Sequence, residues 1–339
     1  MFYIQADNVD AALCIGLKTM LENGVYSTSR NGQVLRLPYP VVTEYTNPRC
    51  RVLHNPVRNA NPFFHLMEAM WMLRGRNDIK FVSYFNKRMA QYSDDAVTQP
   101  AAYGYRWRRH FDEDQIKFVI EELKRDNNTR RAIVTMADPA VDVVAVQHGG
   151  ADVPCNTSVY FIVRPDGRLD MTVSNRSNDA IWGAYGANMV HMSILHEYVA
   201  LAVSIEMGTY YQISNDLHAY TDVFDNDKLV EMSYRDNAVH RKLEPRPLWG
   251  HREHIEMFDS DLQTFFDYFD AGEFQNMTQD AFITVWFQDV VAPMFAAWCS
   301  YKNGSRSLAA HYINQVVCPD WGTACAEWLT RAWAAKDSA

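Results

Sequence analysis

Two runs of alternating residues, SVYFIVR (158–164) and RLDMTVSN (168–175), are joined by the turn residues PDG. Side chains alternate across a strand, and proline, aspartate and glycine favour a tight turn, so the stretch predicts an antiparallel β-hairpin. A hairpin returns the end of its second strand to the start of its first. Cys155, which follows Pro154 at the mouth of the first run, is thereby set close to Arg176 and Ser177. A guanidinium beside a thiol favours the thiolate and lowers its pKa, which makes Cys155 a candidate nucleophile as well as a candidate core residue.

The chain has 339 residues, 48% hydrophobic and 22% charged, enough for one large or two smaller domains with a sizeable core. No repeat, low-complexity tract or Gly/Ser-rich linker divides it. The N-terminus lacks the features of an export signal. The longest apolar stretch, 189–203, is interrupted by His191, His196 and Glu197 and is too short to span a bilayer. Six cysteines without CxxC spacing argue against a disulfide framework or a zinc site and suit a reducing cytoplasm. A formal charge of −9 disfavours nucleic acid, so an anionic ligand must be held by a local group of arginines.

Periodicity predicts a helix over about 8–23, a loop STSRNGQVLRLP leading into a strand, and an apolar helix over 62–75 with proline in its first turn. Glu68 lies inside that apolar helix, where little polar face is available. A helix over 112–126 precedes NNTRRAIVTMADP, with Arg130 and Arg131 directly before the strand AIVTM. A further helix is expected over 188–206, and then one strand over 209–222 on which His218 and Tyr220, two apart, share a face. After EPRPL (244–248) the texture turns aromatic and acidic at helical spacing. The expected organisation is a catalytic domain over 1–248 and a helical extension over 249–339.

A nucleophilic cysteine, several arginines and a same-face His/Tyr pair describe a site that binds a phosphate and a sugar and attacks an electron-poor ring carbon. In their order these motifs resemble the thymidylate synthase superfamily, which includes the phage-type pyrimidine-nucleotide hydroxymethylases. The likeness covers roughly residues 10–248 and implies an α+β fold, a large mixed twisted β-sheet flanked by helices, here with a helical C-terminal extension. Pro154-Cys155 matches the nucleophile, and Arg176, Ser177, Asp179 and Gly183 match the RSxD segment with its glycine. His218 and Tyr220 match the sugar-holding pair. Tyr103 in YGYRWR, Glu68 and EPRPL have counterparts too.

The resemblance implies that Cys155 adds to carbon 6 of a pyrimidine nucleotide, so that carbon 5 captures the one-carbon unit of 5,10-methylenetetrahydrofolate, with no metal. Arg30, Arg176 and Ser177, with Arg130 and Arg131 from the partner in a homodimer, would clamp the 5′-phosphate. Asp179 and Gly183 would face the folate, while Glu68 and Tyr103 would manage water and protons at carbon 5. Three positions depart from the pattern. The base-reading asparagine or aspartate falls on Ala187, with Asn188 one step away and about 100° round a helix. The shielding tryptophan has Tyr92 as its nearest substitute, and the helical extension stands where a short closing segment is expected. Loss of the asparagine tilts the base toward cytosine, and a weaker shield favours water over hydride at the methylene. The expectation is a folate-dependent pyrimidine nucleoside-monophosphate 5-hydroxymethylase acting on dCMP, CMP or dUMP. A thymidylate synthase is the alternative, and a non-catalytic scaffold or nucleic-acid-binding regulator is the alternative of another class. A Cys155–His218 hydrolase lacks motifs for an oxyanion site and an orienting group.

Overall fold

The alternating hairpin lies in a six-stranded sheet of the computed structural model, which describes residues 1–150, 152–235, 238–250 and 252–338. In chain order the strands are β1 (Phe2–Ala6), β2 (Val25–Ser29), β3 (Gly32–Arg36), β4 (Val41–Tyr45), β5 (Ile133–Thr135), β6 (Asn156–Val163), β7 (Leu169–Asn175), β8 (Asn178–Asp179), β9 (Met207–Ser214) and β10 (Leu217–Tyr220). The larger, mixed sheet runs β1-β4-β9-β7-β6-β5 and a second runs β2-β3-β10-β8. With helices against them, the architecture is the α+β class expected.

Two expectations change in detail. The loop before Gly32 is itself a strand, so Arg30 and Asn31 sit at the turn of a β2–β3 hairpin. The single strand over 209–222 breaks at Asn215-Asp216, with β9 in the first sheet and β10 in the second. The break is shared by a neighbour, because β7 gives way to β8 at Arg176-Ser177. The paired backbones stay bonded as they cross, Asn215 N–H to the Asn175 carbonyl at 2.9 Å and Asn178 N–H to the Asp216 carbonyl at 2.8 Å. Alternation in sequence does not register such a step, since each half keeps its own period.

One face of the larger sheet, including Val134, Val159, Phe161, Val173 and Tyr210, is buried. The other carries Ile133, Tyr160, Thr172, Tyr211 and Glu44 in register across five strands. Ile133 and Tyr160 on that face are exposed, as is Tyr3 on the neighbouring β1.

The Pro62–Leu73 helix is buried along its whole length. Asn61 caps it by accepting from the Phe64 amide, and Pro62 starts it at no cost in hydrogen bonds. Burying Phe63, Leu66, Met67, Met70 and Trp71 stabilises the fold by about 1.5–3 kcal/mol each. A carboxylate at Glu68 has to be accommodated within this apolar rod. Gly104 lets the short Tyr103–Arg108 helix lie directly on its C-terminal end, because a Cβ there would run into the Met72 backbone.

The later helices Ile255–Ala271, Ala292–Lys302, Arg306–Ile313 and Pro319–Asp337 include several that pack on the same region. Phe81 meets Phe266 and Phe269 at 4.8 and 4.7 Å, and Phe63 meets Trp298 and Trp328 at 5.6 and 5.7 Å. Among the described residues all six cysteines are free, no helix is long and apolar enough to cross a membrane, and no three metal-ligating side chains converge.

Candidate active site

The sheet-to-sheet step of β7–β8 and β9–β10 is what assembles the site. Arg176, at the end of β7, donates its backbone N–H to the Cys155 carbonyl at 3.0 Å. Its guanidinium donates Nε to the Pro154 carbonyl (2.9 Å) and Nη2 to the Val153 carbonyl (3.1 Å), with Nη2 also 3.6 Å from the Cys155 sulfur. Nη1 has no hydrogen-bond partner among the described residues. Burial pushes the thiol pKa up; Arg176 and then Arg30 lower it, as expected of guanidinium groups, but offset the burial only in part, while Asp152 adds to the rise. Arg30, at the exposed turn of β2–β3, therefore acts on the sulfur through its field.

Tyr103 opens its helix against the same loop, where its phenol meets the backbone of Cys155 and Asn156. Burial and the neighbouring thiol hold that phenol far above its ordinary pKa. Ser177 is half-buried directly after Arg176. In the second sheet, His218 and Tyr220 on β10 stand with rings perpendicular at 5.3 Å, as the two-residue spacing requires. His218 pairs in register with Asp179 on β8.

Asp179 caps the segment that follows. Its Oδ1 accepts from the Ile181 and Trp182 amides at 2.8 and 2.5 Å, whereas its Oδ2 is buried without a partner. Burial raises its pKa against those donors and the charges of His218 and Arg58. Residues Ala180–Ala187 form a π-type helical segment with non-helical backbone at Tyr185 and Gly186. That bulge takes up a residue and turns Asn188 inward. The Asn188 amide donates to Asn178 Oδ1 at 3.0 Å, and a Cβ on Gly183 would come within 3.1 Å of Asn188 Nδ2. Ala187 offers only a methyl group, so the polar side chain at this turn is Asn188.

Glu68 is buried, and its Oε2 lies 3.0 Å from Nε2 of His191, also buried, on the Asn188–Ala202 helix. Arg130 and Arg131 stand apart from this group: they are exposed, and neither guanidinium has an ion-pair or hydrogen-bond partner among the described residues. Tyr92 is exposed at the end of a short 3-10 turn and touches no other ring among the described residues. The loop beyond it reaches the nucleophile's neighbourhood, where the Ala101 amide donates to Asp152 at 2.8 Å.

Sequence reasoning missed Arg58, Asp152 and the role of His191. Arg58 is buried 4.2 Å over the Trp182 ring and donates Nε to the Ile181 carbonyl at 2.9 Å. Its partners are far away in sequence, which leaves no local signal. His191, three residues after Asn188, did have one, since side chains at that spacing share a helix face.

A profile of the family described as thymidylate synthase matches residues 17–268, well over half of the chain. The chain belongs to the thymidylate synthase family. It is a one-carbon transferase, and the family uses nucleotide and folate substrates. Among its relatives is the deoxyuridylate hydroxymethyltransferase of Pseudomonas phage M6, 42% identical over 100% of this chain and 96% of that protein. The proteins of the same name in Bacillus phage SP01 and Delftia phage PhiW-14 are 35% and 34% identical, over 68% and 64% of this chain and 62% of each relative. The match to the phage M6 protein takes in the C-terminal segment of this thymidylate synthase homologue as well.

Proposed function

We propose that the enzyme converts deoxyuridylate to its 5-hydroxymethyl derivative, with 5,10-methylenetetrahydrofolate as the one-carbon donor. Full-length likeness to the phage M6 deoxyuridylate hydroxymethyltransferase carries the reading. The geometry agrees with it at the base. Asn178 donates to Ser214 through Nδ2 and so presents its oxygen to Asn188, which fixes which way the Asn188 amide faces. A fixed amide edge suits one of the two pyrimidines and rejects the other, whose donors and acceptors are exchanged. This moves base reading from Ala187 to Asn188 and withdraws the tilt toward cytosine.

Arg176, Arg30 and Ser177 bind the 5′-phosphate, His218 and Tyr220 hold the sugar, and the Cys155 thiolate adds to carbon 6. Asp179 and Trp182 suit the folate, because a buried carboxylate oxygen without a partner among the described residues, beside a partly exposed indole, fits a flat heterocycle with N–H donors. The folate, when bound, supplies the one-carbon unit. Tyr103, against the Cys155 backbone, is placed to move a proton at carbon 5, and Glu68 takes the proton of the water that attacks the carbon 5 methylene.

The active form is a homodimer with shared sites. The sheet face bearing Tyr3, Ile133 and Tyr160 supports this reading, as do the two unpaired arginines next to edge strand β5. Tritium release from carbon 5 of dUMP, dCMP, UMP and CMP tests the substrate. Release from dUMP well above the other three is expected, and a preference for dCMP would overturn it.

A further inference from the structure

We propose that His191 is a positioning residue for hydration, aligning Glu68 and the attacking water at the carbon 5 methylene. The inference rests on the hydroxymethylase reading and deepens it.

Both groups are built into an apolar interior. Glu68 lies on a helix with no solvent face, and His191 projects from the Asn188–Ala202 helix with about 3% of its surface exposed. Their closest atoms are 3.0 Å apart, yet the ring N–H is not aimed at the carboxylate, and neither His191 nitrogen completes a hydrogen bond. A buried imidazole with two unsatisfied nitrogens costs free energy, by about 1–3 kcal/mol for each group left without a partner. Such a cost persists where the unmet groups serve a ligand, and active-site hydrogen bonds commonly align only when substrate is bound. At 3.0 Å no water fits between Nε2 and Oε2, so a shared water has to sit to the side of the pair and touch both groups there.

His65, one turn before Glu68, lies in the same buried cluster, where burial holds it well below its ordinary pKa. An imidazole offers a ring nitrogen on each of two edges, so His191 can orient a water beside the Glu68 carboxylate. His191 also lies one turn after Asn188, so the base reader and the water holder are borne on adjacent turns of one helix.

The step balances within the nucleotide. The one-carbon unit of a reduced folate leaves carbon 5 with an exocyclic methylene, conjugated with the carbon 4 carbonyl, while carbon 6 bears the Cys155 sulfur. Water's oxygen bonds to the methylene carbon and its proton passes to Glu68. The displaced electron pair moves onto the carbon 5–carbonyl system, then re-forms the ring double bond as the carbon 6–sulfur bond breaks and the thiolate leaves. No oxidant or reductant is needed.

The test compares wild type, His191→Leu and His191→Gln in two readouts, tritium release from carbon 5 of dUMP and formation of hydroxymethyl product by mass spectrometry. In a single turnover, with enzyme in excess over nucleotide, His191→Leu should release tritium within about threefold of the wild-type rate while the rate of product formation falls roughly 100-fold, the lower bound for losing a positioned acid–base system. His191→Gln keeps a donor and an acceptor and should recover part of the loss. Tritium release certifies that a variant is folded and binds nucleotide; if the leucine variant releases none, the glutamine variant decides by its ratio of product to tritium. An unchanged ratio in the folded variant overturns the inference and leaves the hydroxymethylase reading standing. A methyl product from wild type overturns both.

Discussion

The thiol of Cys155 is subject to opposed influences. Burial and Asp152 disfavour its thiolate, while Arg176 and Arg30 favour it, and burial is the largest. Removing a cation should therefore raise the thiol pKa further and reduce the reactive fraction at neutral pH. Arg176→Ala is expected to slow alkylation of Cys155 by iodoacetamide several-fold at pH 7, because the thiol loses the nearest charge that favours its thiolate. Its rate–pH curve should move to higher pH, and an unmoved curve would exclude the arginine as the activating charge. The approach of Arg176 to Cys155 was legible because a hairpin's return is a local rule. The approach of Glu68 to His191 was not, since it depends on the packing of two helices that bring together residues 123 positions apart in the chain, and periodicity reports which face of a helix is buried but not against what. The net direction of the thiol pKa was equally hidden, because burial is a property of the folded surroundings.

At the scale of elements, the proposed assignment of base reading to Asn188 rests on the π segment. A regular helix after Gly183 would present Ala187, and the bulge at Tyr185-Gly186 presents Asn188 instead. The sequence offered both residues, but the extra residue's absorption follows from backbone angles that no pattern of side chains announces. Asn188→Ala should leave the thiol intact and lower kcat/KM for dUMP by about 100-fold or more, since a site built to hydrogen-bond its substrate is left unpaired. Asn188→Asp should shift the ratio of dCMP to dUMP turnover toward dCMP, and a ratio unmoved in both variants would mean that another group reads the base. A second element-scale contact ties the Ala238–Arg241 turn to the first helix. His240 Nε2 lies 2.8 Å from Asp10, and although burial opposes the charge, Asp10 and Cys50 raise the His240 pKa from 6.5 to about 9. A histidine raised on folding contributes stability that is fully present below its unfolded pKa and is lost as pH rises through its folded value. The stability difference between wild type and His240→Gln should thus be largest near pH 6 and vanish above pH 9, by chemical denaturation. A difference that grows with pH would contradict this.

For the whole molecule, two surfaces matter. The helices from Ile255 onward brace the buried rod that carries Glu68 through Phe63, and the following Ile79–Phe85 helix through Phe81, and we regard them as an extension of a catalytic domain ending near residue 248. The open sheet face accounts for the second. Sedimentation should show a dimer, and an Arg131→Ala chain mixed with a Cys155→Ala chain should regain tritium release, because one composite site recovers both groups. Heterodimers that form without regaining activity would place Arg131 outside the site. The choice between methyl and hydroxymethyl belongs to this scale as well, because it depends on everything that admits or excludes water from the carbon 5 methylene. The decisive measurement is the product from dUMP and 5,10-methylenetetrahydrofolate, with the folate analysed in the same mixture. A nucleotide that has gained the mass of formaldehyde, with tetrahydrofolate formed in equal amount, is the expected result. Thymidylate with stoichiometric dihydrofolate would contradict it.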